Sequence, residues 1–199
     1  MLTRYAGGDV IYRQDEPALH LFYILKGRVR TYVLSPDGKE RTFFIVGAGD
    51  LLGDVSFYLE NKCLSNAEAF GGEVEAYQIA REGFDRLLSE NPELARVLLA
   101  NLAQRAHLLA QGVVSQSFQD VRGRVQVALV QLAGQHGIVT GEGIVIDMRI
   151  THEELARLIG ANRATVSACL SQLQRDGFCR VVNQRIVLAP WAAGQLLPP

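Results

Sequence analysis

A ten-residue stretch near the C-terminus places small and polar side chains at helical spacing. Residues 162–171 read NRATVSACLS, and in a helix Val166 and Leu170 would lie on one side. The opposite side would then carry short side chains and one arginine: Arg163, Ala164, Ser167, Ala168 and Ser171. A guanidinium can donate two hydrogen bonds to one guanine, and short neighbours let a helix approach base edges closely. The stretch therefore predicts a helix that reads the major groove of DNA, with Arg163 on a guanine.

Polar residues beside this face suit contacts with the DNA backbone. Asn162, Thr165 and His152 are expected to bind phosphate, a contact that positions a protein on the duplex without specifying sequence. Thr151 stands next to His152 and belongs to the same expected DNA-binding surface. The predicted interface thus separates residues that read bases from residues that hold the backbone.

These residues need a frame that fixes one helix against another. Thr151, with Glu154 three residues later, predicts a capping box that begins a first helix. Ala156 is small enough for a second helix to cross the first, and Gly160 can take the left-handed conformation of a tight turn. Val166 would fill the core between the two helices. This spacing predicts a helix-turn-helix.

The residues after the second helix predict a wing. FCRVVNQRIVLAP, residues 178–190, reads as two short strands with Asn183 and Gln184 at the turn. The helix-turn-helix and the wing together favour a DNA-binding module. A bare hairpin of two helices is the alternative interpretation.

The first half of the chain has a different pattern. Residues 1–90 read as short β-rich runs separated by glycine-rich turns, which predicts a barrel or jelly roll. The segment 36–38, Pro-Asp-Gly, predicts a hairpin between two of these runs. We therefore expect an α+β protein with domains at 1–91, 92–119 and 120–199.

Residues 92–118 switch to a helical period. Apolar residues follow a 3-4-3-4 spacing that is typical of a coiled-coil seam: Leu99, Leu102, Ala106, Leu109 and Val113. The seam would pair this helix with the same helix of a second copy. The alternative is a single amphipathic helix that covers its own domain.

Composition narrows the class of protein. No apolar run is long enough to span a bilayer and no secretory signal is apparent, so we expect a cytoplasmic protein without membrane contact. Residues 121–199 hold 8 arginines against 5 acidic residues, a balance of +3 that suits a polyanionic partner. The predicted roll has one histidine, His20, and no His-x-His motif, so metal-dependent cupin catalysis is not expected and the protein is predicted not to be an enzyme.

Four segments in order resemble the cyclic-AMP receptor/FNR (Crp/Fnr) family of transcription regulators. They are GDLLGDVSF (49–57), NPELARVLLANLAQRAHLL (91–109), DVRGRVQVALVQLA (120–133) and ITHEELARLIGANRATVSACLSQLQRDGF (150–178). The resemblance implies an N-terminal β-roll like that of cyclic-nucleotide-binding domains (a double-stranded β-helix), a long dimerisation helix and a C-terminal winged helix-turn-helix. It further implies a homodimer that binds a pseudopalindromic site in double-stranded DNA and contacts RNA polymerase.

The sequence departs from this family where its members bind cyclic AMP. Those members hold ribose and phosphate with a Gly-Glu pair and an Arg-Ser pair, and the matching positions here are Gly53-Asp54 and Leu64-Ser65. Leucine cannot neutralise a phosphate. The resemblance also implies adenine-contacting hydroxyls where Leu109 and Ala110 stand. We therefore expect an unidentified small-molecule effector other than cyclic AMP, with no resident cofactor assigned.

A more apolar pocket could replace the nucleotide site. Its expected residues are Gly53, Asp54, Leu64, Ser65, Leu108 and Leu109, with Phe44, Phe57 and Tyr58 as possible aromatic lining. The alternative is that these side chains only fill the roll. In a further alternative the whole roll is a dimerisation and protein-contact scaffold, and the regulator needs no effector.

Cysteine and histidine residues bear on three other sensing chemistries. An FNR-type iron–sulfur cluster needs several cysteines, and only Cys63 lies in the predicted roll. Cys63 could be a redox-sensing thiol or an ordinary core cysteine. His20 or His107 could ligate haem, although a histidine without a metal is the commoner case.

The predicted recognition helix also departs from the resembled family. Many of its members begin this helix with Arg-Glu and carry a second arginine four residues after the glutamate. Here the corresponding residues are Arg163, Ala164 and Ala168. The DNA site is expected to keep a guanine under Arg163 and to differ at the positions read by the other two.

Overall fold

The computed structural model describes residues 1–59 and 62–192, which divide into two compact units between His107 and Leu108. No helix within the described ranges has the length and apolar character needed to cross a membrane. Each unit has its own sheets and helices, and the long helix α3 (Pro92–Phe118) contributes residues to both.

The first unit is a β-roll of two four-stranded antiparallel sheets. One sheet has the order β1-β8-β3-β6 and the other β2-β7-β4-β5. The strands are β1 (Leu2–Tyr5), β2 (Val10–Tyr12), β3 (His20–Lys26), β4 (Val29–Leu34), β5 (Glu40–Val46), β6 (Leu51–Leu52), β7 (Asn66–Ala69) and β8 (Val74–Ala80). The β4–β5 hairpin pairs Leu34 with Glu40, as the Pro-Asp-Gly turn predicted. The roll confirms the predicted α+β class.

Two helices complete the roll, and the strand β3 packs on both of its faces. The helices are α1 (Asp54–Tyr58) and α2 (Arg81–Glu90). Phe22 and Ile24 point to the interior between the sheets, whereas Leu21 packs with Phe84 of α2 and Leu98 of α3. Alternate residues of one strand therefore serve two cores, because successive side chains point to opposite faces.

The prediction that residues 1–90 contain only strands and turns is wrong at Asp54–Tyr58, which form α1, and at the last ten residues. REGFDRLLSE forms α2, which buries Phe84 against the sheet. Phe84, Leu87 and Leu88 follow the i, i+3, i+4 spacing of an amphipathic helix. That period was overlooked beside the stronger β pattern. The strand β1, at the start of the chain, was not predicted either.

The second unit is a small sheet packed with three helices. The elements after α3 are α4 (Val121–His136), β9 (Gly137–Thr140), β10 (Gly143–Ile146), α5 (His152–Ile159), α6 (Arg163–Arg175), β11 (Cys179–Val182) and β12 (Arg185–Leu188). The sheet has the order β11-β12-β10-β9. Val125 and Leu129 of α4, Leu155 of α5 and Leu173 of α6 are fully buried and form its core. The elements follow the order of a winged helix-turn-helix.

The β3–β4 turn depends on a close backbone approach. Gly27 has a φ of 85°, and a Cβ there would overlap the carbonyl oxygen of Glu73. Gly38, in the β4–β5 turn, has a φ of 78° but open space around the same position. Both glycines therefore need a positive φ, but only at Gly27 would an added Cβ meet another part of the backbone.

We expect Gly27→Ala to destabilise the protein more than Gly38→Ala. Both variants place a Cβ in the left-handed region, at about 1–2 kcal/mol. Gly27→Ala adds the overlap, at about 1–3 kcal/mol more. Urea unfolding followed by circular dichroism measures both free energies. Equal losses would show that the approach to Glu73 does not constrain the turn.

Candidate nucleic-acid interface

The first helix of the motif begins at a reciprocal cap. The Thr151 Oγ1 accepts a hydrogen bond from the Glu154 N–H at 3.2 Å, and the Glu154 carboxylate accepts one from the Thr151 N–H at 2.6 Å. The predicted capping box is confirmed. It satisfies N–H groups that would otherwise lack partners at the start of α5.

The turn between α5 and α6 also has the predicted form. Gly160 has φ 64° and ψ 51°, and the Ala161 N–H donates to the Ala156 carbonyl at 3.0 Å. Asn162 begins α6, and its Oδ1 accepts from the Ala164 N–H at 2.8 Å. Ala156 and Val166 are buried where the two helices pack. The helix-turn-helix prediction is therefore confirmed in its caps, its turn and its core.

The predicted reading face of α6 lies on the surface. Arg163, Ala164, Thr165, Ala168 and Ser171 are exposed, and Ser167 is half-buried. The buried residues of α6 are Val166, Leu170 and Leu173 on the opposite side. The exposed face is shallow, since only Arg163 extends far from the helix. Such a surface can enter a groove without displacing bulky side chains.

One contact on this face was not predicted. The His152 Nδ1 and the Ser167 Oγ are 2.7 Å apart, which joins the first residue of α5 to the exposed face of α6. His152 was expected to bind only phosphate. The two residues are 15 positions apart, and no local sequence pattern signals the pairing.

Three arginines of the second unit are available to a polyanion. Among the described residues, Arg149, Arg163 and Arg175 take part in no ion pair. Arg149 is exposed and stands two residues before the Thr151 cap, so it adds a cation next to the expected phosphate-binding residues. Sequence reasoning missed it because it lies outside the helix-turn-helix pattern.

The predicted wing is present. β11 and β12 pair antiparallel, and the turn residues Asn183 and Gln184 have φ of 49° and 64°. Two successive positive φ values are typical of the tight turn that matches the twist of a hairpin. Arg185 Nη1 contacts Asp147 Oδ1 at 2.9 Å, which ties the wing to the segment before α5.

In the roll, the expected effector residues are already bonded to the protein. Gly53 caps α1 with a φ of 83°, and the buried Asp54 pairs with Arg105, Nη1 to Oδ1, at 2.6 Å. Arg105 also donates to the Leu51 carbonyl. Ser65 is buried, whereas Leu64 is 64% exposed. Leu64 therefore presents an apolar side chain to solvent and no anion-binding group.

Tyr12 joins these residues, and sequence reasoning did not identify it. Its hydroxyl is hydrogen-bonded to Ser65. Desolvation by burial is the main cause that raises the pKa of Tyr12 above its ordinary value, so the phenol stays neutral. The nearby charges of Asp54 and Arg105 act on this pKa in opposite directions, since Asp54 raises it and Arg105 lowers it. The neutral hydroxyl can donate one hydrogen bond and accept others beside Ser65 and Asp54.

The other expected lining residues are divided. Leu108 and Leu109 belong to the second unit. Phe57 is fully buried, with its ring centroid 5.9 Å from that of Phe84. Phe44 packs against the core between the sheets. Both aromatics pack in hydrophobic clusters of the first unit, which favours the alternative that they only fill the roll.

Cys63 lies in the interior of the roll. Its side chain is buried, and desolvation is the main cause that raises the pKa of its thiol above the ordinary value. A protonated, inaccessible thiol reacts slowly with oxidants. These properties favour the ordinary core cysteine over the redox sensor.

Two known protein-family models match the sequence of this chain. A model described as a cyclic nucleotide-binding domain matches residues 2–91, and a Crp-like helix-turn-helix domain matches residues 123–193. The first covers the β-roll and the second covers α5, α6 and the wing. The two matches follow each other in the order that the sequence predicted.

Three similar proteins support the same assignment. A CRP-like cAMP-activated global transcriptional regulator of Mycobacterium tuberculosis is 30% identical, over 92% of this chain and 81% of its own length. The cAMP-activated global transcriptional regulator CRP of Escherichia coli is 28% identical, over 94% and 89%. A CooA variant from Carboxydothermus hydrogenoformans has a structure with a TM-score of 0.80 and 26% identity, over 95% and 83%.

The first two of these proteins are described as transcriptional regulators, not as enzymes. The residues that the matches cover carry the capped helix-turn-helix, its exposed α6 face and the β-roll. The chain therefore belongs to the Crp/Fnr family of DNA-binding transcription regulators.

Proposed function

We propose that this chain is a homodimeric, sequence-specific regulator, gated by a small effector that binds in the β-roll and is not cyclic AMP. The observation that carries the proposal is the exposed face of α6, where Arg163 stands at the first helical position with short neighbours. A recognition helix contacts bases mainly with its N-terminal residues. The face therefore supports direct reading of the major groove.

Each polar residue of the interface has a proposed role. Arg163 donates two hydrogen bonds to a guanine. Ala164, Ser167, Ala168 and Ser171 lie against neighbouring bases. Backbone contacts come from the remaining surface residues: Thr151, His152, Asn162 and Thr165. Helix N-termini favour phosphate, which suits the positions of all four at the starts of α5 and α6.

The proposed dimer forms along α3. Leu99 and Val113 are 66% and 64% exposed, and Leu102, Ala106 and Leu109 continue the same stripe. Pairing this stripe with its symmetry mate would remove apolar surface from water, at about 25 cal/mol per Å². A two-fold dimer would place two α6 helices on half-sites about 34 Å apart, which fits a pseudopalindrome.

The proposed effector differs from that of the relatives described as cAMP-activated. Leu64 stands where cyclic-AMP-binding members have an arginine, so a phosphate would lose its charge partner. Losing such a partner costs about 2–5 kcal/mol. The effector would act on the equilibrium between a state with high DNA affinity and a state with low DNA affinity. It can shift this equilibrium only by the difference between its affinities for the two states. A cytoplasmic location and contact with RNA polymerase belong to the same proposal.

A regulator that needs no effector is the second candidate. It is favoured by the Asp54–Arg105 and Tyr12–Ser65 contacts, which satisfy the polar groups of the roll without a ligand. In this candidate the roll serves as a dimerisation and protein-contact scaffold. The two candidates share the DNA interface and differ only in gating.

Arg163→Ala should remove one base preference. We expect discrimination at a single base pair to fall by about 1–3 kcal/mol, since a bidentate contact to guanine is lost. Arg175→Ala, at the other end of α6, is the matched control and should leave every preference intact. Titration of the purified chain against duplexes that vary at each position measures both. A uniform loss on all duplexes would make Arg163 a phosphate contact.

Leu99→Glu should separate the dimer, whereas Val97→Glu should not. Both side chains are exposed on α3, by 66% and 56%, but only Leu99 lies on the seam. Burying two carboxylates at the seam is costly because they have no partner there. Sedimentation equilibrium gives the mass of each variant. A dimeric Leu99→Glu variant, or a monomeric unsubstituted chain, would contradict the proposed seam.

Gating is tested by measuring DNA affinity with and without small molecules. We expect a small-molecule extract from cells to change the affinity at least severalfold, and cyclic AMP alone to change it by less than about twofold, because the missing charge partner weakens cyclic-AMP binding. Fluorescence anisotropy on the duplex that the unsubstituted chain binds most tightly is the readout. No response to any addition supports the scaffold candidate, and a strong response to cyclic AMP overturns the proposed effector class.

A further inference from the structure

Ser167 is bonded differently from two other helical serines. Serine in a helix commonly donates its hydroxyl to the carbonyl four residues earlier. Ser117 does so to Val113 at 2.9 Å, and Ser171 does so to Ser167 at 3.0 Å. The Ser167 hydroxyl instead lies 2.7 Å from the Nδ1 of His152 on α5. Its hydrogen bond therefore leaves its own helix and depends on a residue of the neighbouring one.

This contact sets which hydrogen bond Ser167 can offer to DNA. A hydroxyl has one hydrogen to donate and two lone pairs that accept. A neutral imidazole carries its hydrogen on one nitrogen, and the partner of that nitrogen decides which one. If the Nε2 of His152 donates to a phosphate, Nδ1 has a free lone pair and takes the hydrogen of Ser167. The Ser167 Oγ then presents lone pairs only, and it presents them from the rotamer that faces α5 instead of from one turned to its own backbone.

We propose that His152 fixes Ser167 as a hydrogen-bond acceptor, so that Ser167 reads the amino group of an adenine or a cytosine. These two bases present N6 and N4 amino groups in the major groove, whereas guanine and thymine present acceptors there. The inference rests on the proposed DNA interface. His152 acts as a positioning residue. Its imidazole ring links its phosphate contact at Nε2 to its bond with Ser167 at Nδ1, and so to the base that Ser167 reads.

The neighbouring side chains leave this role to Ser167. Ala164 and Ala168 carry no polar atom, and the Ser171 hydroxyl is turned to its own backbone, four residues further from the helix N-terminus that contacts bases. Thr151 and Glu154 bond each other in the capping box. His152 itself is exposed, so its Nε2 edge is open to a phosphate. Beside Arg163, Ser167 is then the second residue of the face that can discriminate base pairs.

Two substitutions of His152 separate its two contacts. In His152→Gln the amide lies where Nε2 was, so the phosphate contact is kept and the bond to Ser167 is lost. The Ser167 hydroxyl then turns to the Arg163 carbonyl, away from the position that reads the base. In His152→Asn the amide lies near the position of Nδ1, so the bond to Ser167 is kept and the phosphate contact is lost. Ser167→Ala removes the reading group itself, and Arg163→Ala is the control for a different base.

The experiment selects duplexes with the full-length chain from a pool of random inverted repeats at low salt, and then titrates every single-base variant of the selected duplex. The base under Ser167 should be adenine or cytosine, preferred about fivefold, the worth of one hydrogen bond. Ser167→Ala and His152→Gln should each reduce this preference below about twofold, at the same position. The variant that combines Ser167→Ala with His152→Gln should lose no more of this preference than either single variant. His152→Asn should keep the preference and bind all duplexes more weakly.

Several results would overturn the inference. They are a preserved preference in His152→Gln, no change in Ser167→Ala, or a guanine or thymine as the selected base. An unchanged thermal unfolding midpoint in each variant excludes a loss of fold. If Arg163→Ala alone relaxes a base position, this inference fails and the proposed interface stands. If the unsubstituted chain enriches no sequence, the proposed interface fails and this inference with it.

Discussion

The left-handed conformation of Gly160 sets the direction of the recognition helix. It ends α5 abruptly, and the Ala161 N–H bonded to the Ala156 carbonyl closes the turn. A Cβ at this position would cost about 1–2 kcal/mol, and relieving that strain would change the crossing of the two helices. Val166 fills the crossing point and the caps at Thr151 and Asn162 fix where each helix starts. Which residues face the DNA follows from these local constraints.

The roll keeps the shape of a nucleotide-binding domain while its polar groups bond to one another. Gly53 still begins α1, and Asp54 stays buried at the start of that helix. Its carboxylate is compensated by Arg105, as a buried charge must be. Tyr12 and Ser65 form a second internal contact. Any effector in this region has to offer better partners than those the protein already has, which favours ligands of low charge.

Short sequence patterns predicted much of the helix-turn-helix, but they did not predict contacts between residues that are distant in the sequence. The capping box, the left-handed Gly160 and the wing turn depend on a few adjacent residues, so their sequence is sufficient. The Asp54–Arg105 pair spans 51 residues and the His152–Ser167 pair spans 15, and both exist only because separate elements pack together. Helix α2 was missed for a different reason, since its apolar residues are few and adjoin a strand-rich region. The seam residues of α3 were visible as a pattern, but a pattern cannot say which molecule covers them.

The alanines at 164 and 168 have a consequence for how binding sites change over generations. In the proposed interface these two residues offer the bases only a methyl group, which forms no hydrogen bond and adds at most an apolar contact with a thymine methyl. One substitution to a longer polar residue at either place could add a new base preference without breaking an old one, because no existing contact is lost. The regulator could thus acquire new operators in single steps while still recognising those it already controls. A helix filled with long, mutually supporting side chains would have to give up one target to gain another.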